Sequence, residues 1–178
     1  PSNIRFPQDF SLLNEARVKL DAMINRLHDP VSGKRRPRTY RKVLRKKYLA
    51  HAKSRKRTAK QTRSIIRVML CAVKRNIAFV AGFLDKGGFL EDRDMELLAT
   101  IRKLYAQQKE MFDEKKHRVA ERIVSLTQPY VRPIVRGKVK DPVEFGAKYD
   151  VSVDERGHAR LEHVDFEPYN ECTILHRQ

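Results

Sequence analysis

Over roughly the first two thirds of the chain, apolar residues recur every three or four positions, and beyond that the pattern breaks into prolines and then alternates with a period of two. In "FPQDFSLLNEARVKLDAMINRLHDP", Leu13, Ala16, Leu20, Met23 and Leu27 form one stripe. Asp9 or Ser11 is placed to cap that helix, and Asp29-Pro30 ends it, because the residue before a proline is pushed out of the helical region. After the basic linker "VSGKRRPR", a second helix is expected from Thr39 to about Arg55, with Tyr40, Val43, Leu44 and Tyr48 on a narrow apolar face. "TAKQ", Thr58 to Gln61, has the spacing of a capping box and opens a third helix. Within it Ile66, Leu70, Val73, Ile77, Val80 and Leu84 follow alternating steps of four and three, the spacing of a coiled-coil seam. "DKGG" then supplies a turn into a fourth helix, from about Asp92 to Lys115, with Leu97, Ile101, Leu104, Gln108 and Met111 on the matching seam. Helices three and four are expected to form a long antiparallel hairpin of roughly 35 to 40 Å, packed with the first two helices as a bundle.

After Lys116 the text "ERIVSLTQPYVRPIVRGK" brings a short β-branched run and two prolines. "VEFGAKYDVSVDERGHARLEHVDFE" reads as two strands, Phe145 to Val153 and His158 to Phe166, joined at "DERG". Alternation puts Tyr149, Val151 and Val153 on one side, expected to be buried, and Lys148, Asp150, Ser152 and Asp154 on the other. Two strands do not make a stable sheet alone, so this hairpin calls for further strands. The fold class expected is α+β, with a helical, strongly basic region over 1–117 and a β-hairpin region over 118–178.

Charge changes the picture more than any other compositional feature. The chain has a formal net charge of +17, and between Asp29 and Asp85 lie 18 of its 39 lysines and arginines without one acidic residue. The rest of the chain is close to neutral, so one segment makes the positive field. Such a field attracts polyanions, because each phosphate neutralised releases condensed counterions, and nucleic acid is the expected partner. The plainer reading is a solvated basic face. An anionic membrane surface fits less well, since the apolar faces are committed to helix pairing, and the longest apolar run, "IAFVAGFL", is too short to span a bilayer. Cys71 and Cys172 are far apart in sequence, and Cys71 falls in a helical pattern, as expected of a small core hydrophobe in a reduced compartment. The first residue is Pro1, which suggests a fragment.

Candidate chemistry is sparse. Asp150, Asp154, Glu162 and Asp165 lie on or near the expected hairpin, where pairing could form a metal clamp or simply a polar, solvated strand face. His28, His51, His117, His158, His163 and His176 are scattered without the spacing of a zinc site, and His158 and His163 would lie on opposite faces of one strand. No glycine-rich phosphate loop and no nucleophile elbow occurs, and no helix-turn-helix signature offers base readout. In "RPIVRGKVKDP", Arg132, Arg136, Lys138 and Lys140 surround Gly137, either as a loop that approaches phosphate closely or as an exposed basic linker.

The blocks "RIVSLTQPYVRPIVRGK" from Arg122, "PVEFGAK" and "YNE" at Tyr169 to Glu171 resemble the DDE transposases of bacterial insertion sequences, and "IRFPQDFSLLNEAR" resembles that family's segment just after its first catalytic aspartate. The likeness covers essentially the whole chain, with "RPIVRGK" and "PVEFGAK" its specific part. It implies a ribonuclease H-like catalytic core in which three carboxylates hold two magnesium ions for strand cleavage and transfer. It places the first aspartate before Pro1, and the second aspartate and the glutamate beyond the helix that "YNECTIL" begins, so that no catalytic or metal-binding residue falls on this chain. It also implies a bacterial cytoplasmic protein, with a homo-oligomer as one option.

Two functions follow, in different classes. The first is a transposase segment, an internal piece between the first and second catalytic aspartates, contributing DNA contacts to DNA transposition. The second is a stand-alone basic helical protein that binds RNA or DNA without catalysis. Under either, the residues expected at phosphates are Arg35, Arg36, Arg38, Arg41, Lys42, Arg45, Lys46, Lys47, Lys53, Arg55, Lys56, Arg57, Arg132, Arg136 and Lys138.

Overall fold

In a computed structural model of the chain, residues 8–28, 35–135 and 143–166 are described, and they form an α+β arrangement of four helices and two two-stranded antiparallel sheets. The chain divides into two compact units, Pro7–Arg122 on one side, Pro1–Phe6 with Ile123–Gln178 on the other.

The first unit is helical: α1 (Asp9–Leu27), α2 (Arg41–Lys53), α3 (Ala59–Leu84) and α4 (Asp92–Glu114). Its core is aliphatic. Leu13, Ala16, Leu20, Met23 and Ile24 of α1 meet an interior shared with Met69, Val73 and Val80 of α3 and Leu98, Ile101 and Leu104 of α4, all of them essentially inaccessible to water. The most extensive packing is that of α3 on α1, while α2 rests on both. Each fully buried Leu or Met of this set contributes about 1.5 to 3 kcal/mol relative to exposure.

Local chemistry sets the helix ends. Thr58 Oγ1 accepts from the Gln61 amide and Gln61 Oε1 accepts from the Thr58 amide, a complete capping box that contributes about 1 kcal/mol. At the other end of α3 the Gly88 amide donates to Phe83 O at 2.9 Å, and a Cβ on Gly88 would sit 2.8 Å from that same oxygen, so the turn into α4 needs glycine there. The N-cap of α1 is neither Asp9 nor Ser11 but Gln8, which makes no side-chain cap bond, and the helix starts at Asp9. Asp9 instead ties α1 to α4 and the following loop, accepting from Gln108 Nε2 at 2.8 Å and from Arg122 Nη2 at 2.5 Å.

Two expected faces are rotated. On α3 the buried residues are Ile65, Met69, Leu70, Ala72, Val73, Asn76 and Val80; Leu70, Val73 and Val80 of the expected seam are buried, while Ile66, Ile77 and Leu84 are left half-buried, because α3 packs chiefly on α1. On α2 only Leu44 is buried. Tyr40 and Val43 are exposed, and the docking edge is Leu44, Tyr48 and His51, with the last two rings 5.9 and 4.8 Å from that of Phe10. Cys71 is exposed rather than part of the core, since it sits on the outer side of the same rotated helix.

The second unit contains β1 (Pro133–Val135) paired with β2 (Val143–Phe145), and β3 (Lys148–Val153) paired with β4 (Ala159–Asp165). Its buried apolar side chains are Ile123, Val124, Leu126, Val131 and Ile134. The β3–β4 turn is held by Asp154, whose carboxylate accepts from the amides of Arg156 and His158, and by Gly157 at φ +82°, a conformation that glycine takes without strain. The register shifts between Asp150 and Val151, where Glu162 is the extra residue on β4 and accepts from Ser152 Oγ at 2.5 Å.

The hairpin's polarity is the reverse of the expected one. Tyr149, Val151 and Val153 stand opposite Val164, Leu161 and Ala159, and all five of the larger apolar side chains on this face are between 41 and 64 % exposed. Lys148, Asp150 and Ser152 form the less exposed side. Within the described residues nothing covers the apolar side. His158 lies in the turn rather than on β4, so the expected opposition of His158 and His163 on one strand does not arise.

Candidate nucleic-acid interface

The outer arc of α2 is densely basic. A helical period of 3.6 residues carries Lys42, Arg45, Lys46 and Lys53 to the side away from Leu44, Tyr48 and His51, and Arg41 and Lys47 lie on the two flanks. All six cations are exposed. Lys42, Arg45, Lys46 and Lys53, with the small apolar floor of Leu49 and Ala50, line an open depression of about 460 Å³.

This helix is built against its own electrostatics. It has no acidic residue in its first turn, where Arg41 and Lys42 oppose the helix dipole, and Arg41/Arg45 and Lys42/Lys46 are like-charged pairs four residues apart. Each such pair costs about 0.2 to 0.5 kcal/mol. Among the described residues no carboxylate forms an ion pair with Arg41, Lys42, Arg45, Lys46, Lys47 or Lys53. Cations elsewhere on the same unit do find partners, as in Arg26 with Asp94 at 2.5 Å and Lys103 with Glu121 at 2.6 Å.

The other expected contact residues are spread over different roles. Arg35 and Arg38 are exposed on the segment leading into α2, and Arg55 and Lys56 are exposed just after it. Arg57 serves the fold: it donates to Ala52 O at 2.7 Å, Ser54 O at 3.2 Å and Gln8 Oε1 at 3.3 Å, and lies 5.6 Å from the Phe10 ring. Arg132 donates to Pro129 O at 2.6 Å and Val131 O at 3.3 Å, which fixes a backbone turn. Arg136 and Lys138, and with them Gly137 and Lys140, lie outside the described residues.

The strand carboxylates do not assemble. Asp154 is committed to its turn and to His158 Nδ1 at 2.9 Å, and those bonds, the His158 amide first, hold its carboxyl below the usual range. Glu162 accepts from Ser152, and Asp150 stands opposite His163. No group of three or more His, Cys, Asp or Glu among the described residues could hold a metal ion. No helix among them is long and apolar enough to cross a membrane.

A second cluster escaped the sequence reading. Arg17 of α1 is 3 % exposed and donates to Asn14 Oδ1 and to Asp21 Oδ2 at 3.2 Å. Asn76 Nδ2 lies 3.5 Å from Asp21 Oδ1, and Arg75 Nη2 donates to Thr39 O at 2.8 Å. Burial pulls the Arg17 pKa down, Asp21 opposes that, and Arg75 adds to it. The available signal was Asn76, a polar residue inside the apolar stripe between Val73 and Val80. Next to this cluster Tyr40 takes a left-handed conformation, φ 54° and ψ 29°, at a cost of about 1 to 2 kcal/mol, with its ring 5.1 Å from the Arg75 guanidinium.

Comparison of the chain with known proteins matched no family model, no curated protein and no solved structure.

Proposed function

We propose that this chain binds nucleic acid through the phosphate backbone, with the outer arc of α2 as the contact surface, and that it does so as a segment of a DDE-type transposase acting on DNA. The observation that carries the binding reading is the unpaired, self-repelling row of Arg41, Lys42, Arg45, Lys46 and Lys53. A helix that concentrates like charge without carboxylates stores an electrostatic cost that a polyanion relieves, and phosphates along a duplex supply that polyanion without base readout. Affinity on this reading is non-specific, on the order of 10⁻⁴ to 10⁻⁶ M at physiological salt. Fluorescence anisotropy with a labelled duplex across a salt series tests it.

The transposase assignment rests on the resemblance of "RPIVRGK", "PVEFGAK" and the N-terminal block, and the uncovered apolar face of β3–β4 supports it. A hairpin whose Tyr149, Val151, Val153, Leu161 and Val164 meet water suits a piece of a larger ribonuclease H-like sheet, with α3 and α4 as a long helical hairpin inserted before it. The full-length protein would use magnesium, be bacterial and cytoplasmic, and assemble on transposon ends as a homo-oligomer. The described residues do not fit magnesium, so no chemical step is assigned to them. Incubation of the chain with inverted-repeat DNA and magnesium or manganese is therefore expected to leave both strands intact. Cleavage that disappears in Asp150→Ala or Asp165→Ala would overturn this assignment.

A further inference from the structure

Two guanidiniums, Arg17 and Arg36, share the Asp21 carboxylate where the segment before α2 meets α1 and α3, and a third, Arg75, is held beside them by Thr39 O and Asn76 Oδ1. Arg17 and Asn76 occupy the Asp21 oxygens at 3.2 and 3.5 Å, which leaves Arg36 Nη2 3.9 Å from Asp21 Oδ1, too far for a hydrogen bond. Arg36 Nε and Nη2, Arg75 Nε and the hydroxyl of Thr39 are buried atoms without a hydrogen-bond partner among the described residues. Thr39 is itself 1 % exposed.

Such an arrangement is unfavourable as it stands. Buried donors without acceptors retain their full desolvation cost, and Arg17, Arg36 and Arg75 against Asp21 leave an excess of positive charge. Water could accept from the orphaned donors but would not neutralise the charge. A tetrahedral oxyanion does both, and guanidinium donors match its geometry. The cluster borders solvent: the Arg36 side chain is 29 % exposed although its Nε and Nη2 are covered, and the neighbouring Tyr40, held in its strained conformation under Arg75, faces solvent. The two features meet at one place, a fixed corner at residues 39 and 40 and unsatisfied cationic donors beside it.

We propose that Arg36, Arg75 and Thr39 form a binding site for a phosphate group, supplied either by a nucleic-acid backbone or by a small phosphate in solution, with Arg17, Asp21 and Asn76 as the positioning residues behind it. The site touches the basic segment through Arg36, yet it is distinct from the outer arc of α2. Inorganic phosphate probes it without DNA, so failure here leaves the α2 reading standing, and the reverse also holds.

The test is thermal unfolding of the full chain titrated with inorganic phosphate, against sodium chloride at matched ionic strength. Phosphate is expected to raise Tm saturably where chloride does not. Arg36→Gln should raise the apparent Kd for phosphate by roughly tenfold or more, as expected for loss of a charge-assisted hydrogen bond. Thr39→Val should weaken it less, and the Arg41→Ala/Arg45→Ala/Lys46→Ala variant should respond as the parent does. Addition of a duplex oligonucleotide then identifies the source: displacement of phosphate, followed by phosphorus-31 NMR, points to a backbone phosphate, and unchanged phosphate binding points to a small one. Equal Tm in phosphate and chloride, or an unaltered response in both Arg36→Gln and Thr39→Val, would overturn the site.

Discussion

The helical unit and the β3–β4 hairpin each space apolar residues at the period of their own secondary structure, about 3.6 and 2, and end in opposite states. In the helical unit the stripes of α1, α3 and α4 find one another, and Leu13, Leu20, Met69, Val73 and Ile101 are lost to water. In the hairpin the alternation is just as regular, yet Tyr149, Val151 and Val153 face outward. Regular alternation shows that a strand has an apolar face; it does not show that a covering layer exists. A bundle can complete its core from local helices, whereas a sheet of two strands needs elements from elsewhere.

The largest expected effect tests that contrast directly. Leu20→Ala removes a fully buried side chain and should destabilise the helical unit by about 2 to 5 kcal/mol in denaturant unfolding followed by circular dichroism. Val151→Thr and Val153→Thr, on the exposed face, should each change stability by no more than about 0.5 kcal/mol. Comparable losses at the strand positions would mean that the face is covered in solution and that the contrast is wrong.

A smaller effect sharpens the account of how α2 is seated. His51 lies edge-on to Phe10, and burial first, then the charge of Arg57, push its pKa below the ordinary value. The fold therefore favours the neutral ring. This contribution is fully present above the unfolded value near 6.5 and is lost as pH falls through the lower folded value. Stability measured between pH 7 and pH 5 should thus fall less steeply in His51→Gln than in the parent, and parallel curves for the two proteins would contradict the assignment.

Much of the helical unit was legible because its signals are local. The Thr58–Gln61 capping box, the glycine turn and the extent of α4 each follow from residues within one or two turns of each other. What was not legible depends on partners distant in sequence. The rotation of α3 that buries Ile65 and Met69 and exposes Cys71 comes from packing on α1, and the exposure of the Tyr149 face comes from having no layer against it among the described residues. For the candidate sites the same division applies. The acid-free segment announced the α2 arc, but sequence could not separate Arg41 and Arg45, which face water, from Arg57, which holds the chain between α2 and α3. The Arg17–Asp21–Asn76–Arg75 cluster draws on α1 and α3, and only Asn76 hinted at it.

The central claim is that the positive charge of α2 is there to meet phosphate. Its most direct test is the salt dependence of duplex DNA binding by the parent and by Arg41→Ala/Arg45→Ala/Lys46→Ala, with helicity checked by circular dichroism, since alanine is the best helix former and these side chains face water. Each phosphate contact contributes about 0.9 to the slope of log affinity against log salt. The account predicts a steep slope in the parent and a slope lower by about two to three in the variant. A slope near zero in the parent, or a variant that binds as the parent does at every salt concentration, would show that α2 is only a solubilising face.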